Sequence, residues 1–281
     1  MIIALLPNSG NKESEKLIFE LISLLRSENI QLCTDDANYS KFKLHPISFY
    51  NPEDIEIIIT MGGDGTILRI ANYYSHLKNA AILGINLGHL GFMADVQINN
   101  IHSCIKELIS GKYKIENRMV IEGSTSKGDA FYALNDFVFH RAKNPSLVEF
   151  TVYVNDTLLN TFESDGLILA TPTGSTAYSL AAGGPIMCPS VQAIVITPIC
   201  PHTLSNRPIV LEPNQKIVVR YNSYKDPVEV AIDGMACLNL DPGESLELKK
   251  SKRTIKLIKL DSTNYYSTLR IKLGWTGKIR K

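Results

Sequence analysis

The chain has 281 residues, which at about 150 residues per domain argues for two domains. Its 29 Lys and Arg balance 28 Asp and Glu, a net charge of +1, which argues against binding nucleic acid or an acidic membrane surface by bulk charge. Hydrophobic residues at 44% supply a sizeable core, and no apolar run approaches the ~18 residues of a membrane span. The first third alternates strands and helices. Ile2–Leu6 is a continuous apolar run, as in a strand buried on both faces. After the turn Pro7-Asn8-Ser9-Gly10, Leu17, Ile18, Leu21, Ile22 and Leu25 recur at helical spacing. Ile55–Ile59 predicts a second strand, and Ile67, Ile70, Ala71 and Tyr74 a second helix. Ala81–Ile85 predicts a third strand; Ile101, Ile105, Leu108 and Ile109 predict a third helix, stopped by Gly111.

This order implies an open α/β domain with a parallel sheet, Rossmann-like, over residues 1–117. Beyond it, short alternating strands dominate, such as Phe150, Val152, Val154 and Val228, Val230, Ile232. Asn155-Asp156 and Asp241-Pro242-Gly243-Glu244 read as turns between them. A β-sandwich-like domain over 118–260 is expected. The charge run Lys249–Arg253 reads as a solvated hairpin loop. Residues 261–281 form a C-terminal segment expected to pack back on the first domain, as either strand or helix. The five cysteines (Cys33, Cys104, Cys188, Cys200, Cys237) show no C-x-x-C pair, which suits reduced, mostly buried thiols in the cytoplasm.

The turn Gly62-Gly63-Asp64-Gly65-Thr66 joins a predicted strand to a predicted helix. Its glycines let a ligand approach the backbone closely, and the helix start offers unpaired N–H groups, an arrangement that suits phosphate. The spacing fits neither G-x-G-x-x-G, because the third glycine position holds Leu68, nor a Walker P-loop. Asp64 among such amides could accept a proton from an attacking hydroxyl or hold a cation; alternatively it N-caps the helix. Arg69, one turn on, could aid as a cation or serve a surface salt bridge.

A second constellation runs from Glu163 to Ala182. A buried strand ends in Thr171-Pro172-Thr173-Gly174-Ser175-Thr176, and Ala177-Tyr178 begins a helix. Small hydroxyls there can hydrogen-bond a purine edge, and Tyr178 can pack on a ring. Asn135-Asp136 interrupts an apolar run and could read a base edge and a ribose diol, or be a solvent-facing strand end. Asp233-Gly234 reads as a turn first and a site second. The histidines show no paired ligand spacing, and no residue is assigned as a metal ligand.

These motifs resemble those of the NAD kinases. The resemblance rests on Gly62–Thr66, Asn135-Asp136 and the stretch Asp165–Leu180, with Gly88-His89-Leu90-Gly91-Phe92, Pro201–Ser205, Arg207-Pro208 and Lys272–Trp275 in the same order. The glycine turn alone is shared with lipid and phosphofructokinase-type kinases; Thr-Pro-Thr-Gly-Ser-Thr-Ala-Tyr is the specific element. The resemblance implies transfer of a phosphoryl group from ATP, or polyphosphate, to the adenosine-ribose 2′-hydroxyl of NAD, giving NADP. It implies a divalent cation (Mg or Mn), a cytoplasmic homodimer or homotetramer, and NAD held between the domains. By position, Asp64 would take the hydroxyl proton, with Gly65 and Arg69 beside the nucleotide. Asn135 would recognise adenine, Asp136 the ribose, and Asp165 the nicotinamide end. Thr173, Thr176, Ala177 and Tyr178, followed by Ser179, Leu180 and Ala181, would line the pockets. Three departures stand out. The family commonly has Glu at position 136, a basic residue at 163 and Gln at 235, where this chain has Asp136, Glu163 and Met235.

Overall fold

The structure, a computed structural model, describes residues 1–8, 11–26, 28, 30–88, 90–223 and 226–275. Ser9, Gly10 and His89, all within motifs read from the sequence, lie outside the described residues. The chain divides into two compact units, one of Met1–Asn117 with the chain from Lys256 onward, the other Arg118–Ile255.

The first unit opens with β1 (Ile2–Leu6), α1 (Lys12–Arg26), β2 (Gln31–Thr34), α2 (Tyr39–Phe42) and β3 (His45–Pro46). It continues with β4 (Ile55–Met61), α3 (Asp64–Tyr73), β5 (Ala81–Asn86), β6 (Val96–Gln97) and α4 (Ile101–Ile109). Its strands pair in parallel in the order β3-β2-β1-β4-β5. Helices cover such a sheet, so β4 reads Ile-Glu-Ile-Ile-Ile-Thr-Met with all but Glu56 buried. The α1 stripe Leu17, Ile18, Leu21, Ile22 and Leu25 is buried in the same core as Ile3, Leu5, Ile57 and Ile59. β1 has β2 on one side and β4 on the other, so the strand order reverses there. In open α/β sheets, ligands bind outside the carboxyl ends of the strands at such a reversal. The turn 62–66 leaves the carboxyl end of β4 at that point.

The chain leaves in β7 (Tyr113–Thr125), followed by β8 (Ala130–Ala133), β9 (Asp136–His140), β10 (Val148–Val154), β11 (Thr157–Ser164) and β12 (Gly166–Ala170). Next come α5 (Tyr178–Ala181), β13 (Ile194–Ile199), β14 (Ile209–Leu211), β15 (Ile217–Tyr221), β16 (Val228–Ile232) and β17 (Ala236–Leu240). It returns in β18 (Ser245–Leu260) and ends its described course in α6 (Tyr265–Leu273). In the second unit, β14-β13-β12-β9-β16-β17 form one antiparallel sheet, and β11-β10-β15 with the start of β18 form another. Phe137, Phe139, Leu167 and Leu169 from the first meet Phe150, Val219, Leu246 and Leu248 from the second in one core. That is a sandwich.

At the chain's end one expectation is overturned and one open choice is settled. Lys249–Arg253 is no hairpin loop; it lies inside the sixteen-residue strand β18. Neighbours absorb its charge: Lys249 pairs with Glu122 at 3.8 Å, and the Arg253 guanidinium lies 4.3 Å from the Tyr132 ring. The undecided segment after 261 is a helix, capped by Asn264, which accepts from the N–H groups of Tyr266 and Ser267. Cys33 and Cys104 are buried, and burial pushes the Cys33 thiol up to about 12. Cys188 is half-buried and Cys200 exposed. No helix among the described residues is long and apolar enough to cross a membrane.

Candidate active site

In the first unit the turn after β4 is shaped by its first glycine. Gly62 has φ of 152°, and a Cβ there would come within 2.2 Å of Thr66 Oγ1. Gly63 and Gly65 differ: a Cβ on either would meet nothing within 4 Å. The fold itself requires neither to be glycine, so that space is open to a ligand.

Asp64 does not cap α3. Gly63 occupies the N-cap position, and Asp64 is the first helical residue. Its carboxylate turns instead to the loop 91–94. Oδ1 accepts from the N–H groups of Met93 at 3.0 Å and Ala94 at 2.9 Å; Oδ2 accepts from Phe92 N–H at 2.9 Å. A carboxylate oxygen has two in-plane lone pairs. Oδ1 is therefore filled, and Oδ2 keeps one acceptor position. Gly91 makes this seat possible, since a Cβ there would lie 2.2 Å from Oδ1. The sequence reading held Gly91 and Phe92 only as part of a motif; their role in holding Asp64 appears in three dimensions alone. Arg69 is exposed, and its Nη2 donates to Asn8 Oδ1 at 2.6 Å, tying α3 to the end of β1.

In the second unit Asp233 repeats the theme. Its Oδ2 accepts from Leu134 N–H at 2.9 Å, and its Oδ1 from Asn135 at 2.6 Å and Asp136 at 3.2 Å. The backbone at 134–136 is thus fixed by a residue nearly a hundred positions later. The turn 171–176 docks on the same backbone. Thr171 N–H donates to Asn135 O at 2.8 Å, and a Cβ on Gly174 would lie 2.1 Å from that carbonyl oxygen. Asn135 is half-buried, while Asp136 is only 4% exposed. Burial, with the nearby Asp233 charge, pushes the Asp136 carboxyl up to about 7. Burial also raises Asp233, against the lowering effect of its three N–H donors.

The remaining predicted residues fall into two sets. Thr173 is buried; Thr176, Ala177 and Leu180 are half-buried; Tyr178 and Ala181 are exposed. Ser179 is fully buried, and its hydroxyl bonds to Thr197 Oγ1 at 2.9 Å, which makes it a support for the turn. Asp165 is paired with Arg141, whose Nε lies 3.0 Å from Oδ1. Nothing in the sequence marked Arg141. Glu163 is exposed, and its carboxylate lies 3.9 Å from His202 Nδ1. Among the described residues no group of three or more His, Cys, Asp and Glu could hold a metal ion.

Comparison with known proteins places these parts. The profile of the ATP-NAD kinase N-terminal domain matches residues 3–113, and that of the C-terminal domain matches 134–260. The chain is 45% identical over 279 residues to an NAD kinase of Protochlamydia amoebophila, covering 99% of this chain and 100% of that one. It is 39% identical over 239 residues to an NAD kinase of Clostridium beijerinckii, 84% of each. The structure resembles yeast NADH kinase complexed with NADH, with TM-score 0.89 and 26% identity, covering 100% of this chain and 89% of that one. It shares the fold of an Archaeoglobus fulgidus NAD kinase in complex with ATP, with TM-score 0.76 and 23% identity over 100% of both. An α/β unit with a glycine-rich turn after β4, joined to a β-sandwich and matched in this way, defines a nucleotide-dependent phosphotransferase. The chain belongs to the NAD kinase family, and its activity is the phosphorylation of NAD to NADP with ATP.

Proposed function

We propose that the acceptor is the 2′-hydroxyl of the adenosine ribose and that Asp64 Oδ2 receives its proton. The observation behind this is the asymmetry of the Asp64 carboxylate. Met93 and Ala94 fill Oδ1, while Oδ2 accepts only from Phe92 and keeps an acceptor position, and the glycines on either side of Asp64 leave open space where a side chain would stand. In the transfer, the bond from the γ-phosphorus to the leaving oxygen breaks and a bond to the ribose oxygen forms. The hydroxyl proton passes to Oδ2, and ADP departs with the electron pair. Such a loose transition state gains most from alignment, so a fixed base and a rigid turn are what the chain must supply. A divalent cation has no protein ligand set among the described residues, and no step here is routed through it.

In this proposal Gly65 and Arg69 face the nucleotide, and the half-buried Asn135 reads adenine. Asp136 holds the ribose, and its raised pKa makes that contact strengthen as pH rises through about 7. Asp165 takes the nicotinamide end with its charge already met by Arg141. Thr173, Thr176, Ala177, Tyr178, Leu180 and Ala181 line the pockets. The enzyme works in the cytoplasm, in keeping with an odd number of cysteines that form no C-x-x-C pair, as a homodimer or homotetramer that sedimentation would measure. The test is Asp64→Asn in an assay of NADP formation, with ATP and polyphosphate compared. The expected fall in kcat is about 10³-fold, with NAD affinity by calorimetry changed less than about threefold. Normal turnover by this variant removes Asp64 as the proton acceptor.

A further inference from the structure

Behind the loop that holds Asp64 lies a second charged side chain. Lys259, near the end of β18, is 13% exposed, and its ammonium is 2.7 Å from the Asp95 carboxylate, itself 6% exposed. The same Nζ lies 3.4 Å from the carbonyl oxygen of Phe92 and 3.3 Å from that of Met93. Phe92 O and Met93 N belong to one peptide group, and Met93 O and Ala94 N to the next. The N–H groups of those two peptides are the pair on Asp64 Oδ1. A cation on the carbonyl side of a peptide polarises it and strengthens the hydrogen bond its N–H makes on the other side. We infer that Lys259 is a positioning residue for the reaction. Acting through two peptide groups, it holds Oδ1 and leaves Oδ2 as the oxygen that takes the proton.

This rests on the reading of Asp64 as proton acceptor. Among the described residues, the charged and titratable groups around the loop include Asp64 from α3, Asp95 just after it with Cys104 of α4 close by, Lys259 from β18, and Lys272 and Tyr265 from α6. Lys272 donates to Leu90 O at 2.9 Å and lies 5.4 Å from the Phe92 ring, which also meets the Tyr265 ring at 6.3 Å. Lys272 is exposed and its bond is to Leu90, outside the two peptides, so solvent screens its effect on Asp64.

A purely structural role would confine Lys259 to neutralising Asp95, and variants separate the two roles. Lys259→Met is expected to lower kcat about tenfold with KM for NAD and ATP within about twofold. The variant also leaves Asp95 buried without its cation, which lowers stability. Adding Asp95→Asn removes that buried charge. The double variant should recover thermal stability while kcat stays lowered. Recovery of kcat in the double variant overturns the inference, as does an unchanged kcat in Lys259→Met. Asp64→Asn measured alongside keeps the readings apart. Turnover by that variant removes Asp64 itself, whereas an inactive Asp64→Asn beside a fully active Lys259→Met removes only Lys259.

Discussion

Asp64 in the first unit and Asp233 in the second each set a carboxylate against three consecutive backbone N–H groups, at 92–94 and at 134–136. Their surroundings differ. Around Asp64 the glycines at 63 and 65 leave open space, and Oδ2 keeps an acceptor position. Around Asp233 the bound backbone is packed by the chain itself, with Gly174 set against the Asn135 carbonyl and Asp136 buried. The same grip therefore serves two ends. In the first unit it leaves a carboxylate oxygen with an acceptor position to spare; in the second it fixes the stretch of chain that carries Asn135 and Asp136, the side chains proposed to meet the nucleoside.

The sharpest way to break this comparison is to remove each carboxylate. Asp233→Ala leaves three N–H groups without their acceptor and should cost about 3 kcal/mol in urea unfolding. Asp64→Ala should cost clearly less, since water can enter from the glycine side and replace the carboxylate. Equal losses would mean that both aspartates are scaffold. A smaller effect comes from pH. The folded protein holds a proton on Asp136 up to about 7, whereas the unfolded chain releases it near 3.8. Between those values the native state binds more protons, so this group's contribution to stability falls as pH rises. The slope is at most about 1.4 kcal/mol per pH unit near pH 5–6, and it ends above 7. Asp136→Asn should flatten that slope in unfolding curves taken from pH 4.5 to 8, and an unchanged slope would place the titration elsewhere, Asp233 first. The smallest effect on stability belongs to Gly65→Ala. An added Cβ meets nothing, and Ala suits a helix better, so stability should hold or rise by up to about 1 kcal/mol. NADP formation should nevertheless drop about 100-fold if a phosphate lies against that backbone. Full activity would show the space to be idle.

Much of this was legible in the residues. Continuous apolar runs mark strands covered on both faces, so β1, β4 and β5 could be read directly, and the glycine turn followed from its place between β4 and α3. Length and partners hid the rest. β2 and β3 at the sheet edge are too short to show a period. Lys249–Arg253 looked like a loop because its charges are met by Glu122 and the Tyr132 ring, more than a hundred residues earlier. The Asp233 carboxylate bonds a backbone nearly a hundred residues earlier, and an Asp-Gly pair gives no sign of that. Site residues announce themselves where chemistry needs an unusual local pattern; the groups that hold them are ordinary residues made special by tertiary contact.

The passage out through β7 and back through β18 bears on how the protein is made. Unit two is one unbroken stretch inserted in unit one, and it is synthesised before Lys256 and Leu257 arrive to pair with Ala81 and Ile82 on β5. Until then most of β5 is an unprotected sheet edge carrying buried-type residues, the kind of exposure chaperones attend to. Lys259 emerges only two residues after that strand docks. A nascent chain halted after the sandwich would already own the glycine turn and Asp64, but not the cation behind the loop that holds them, so the support of this carboxylate is completed only after the sandwich has been made.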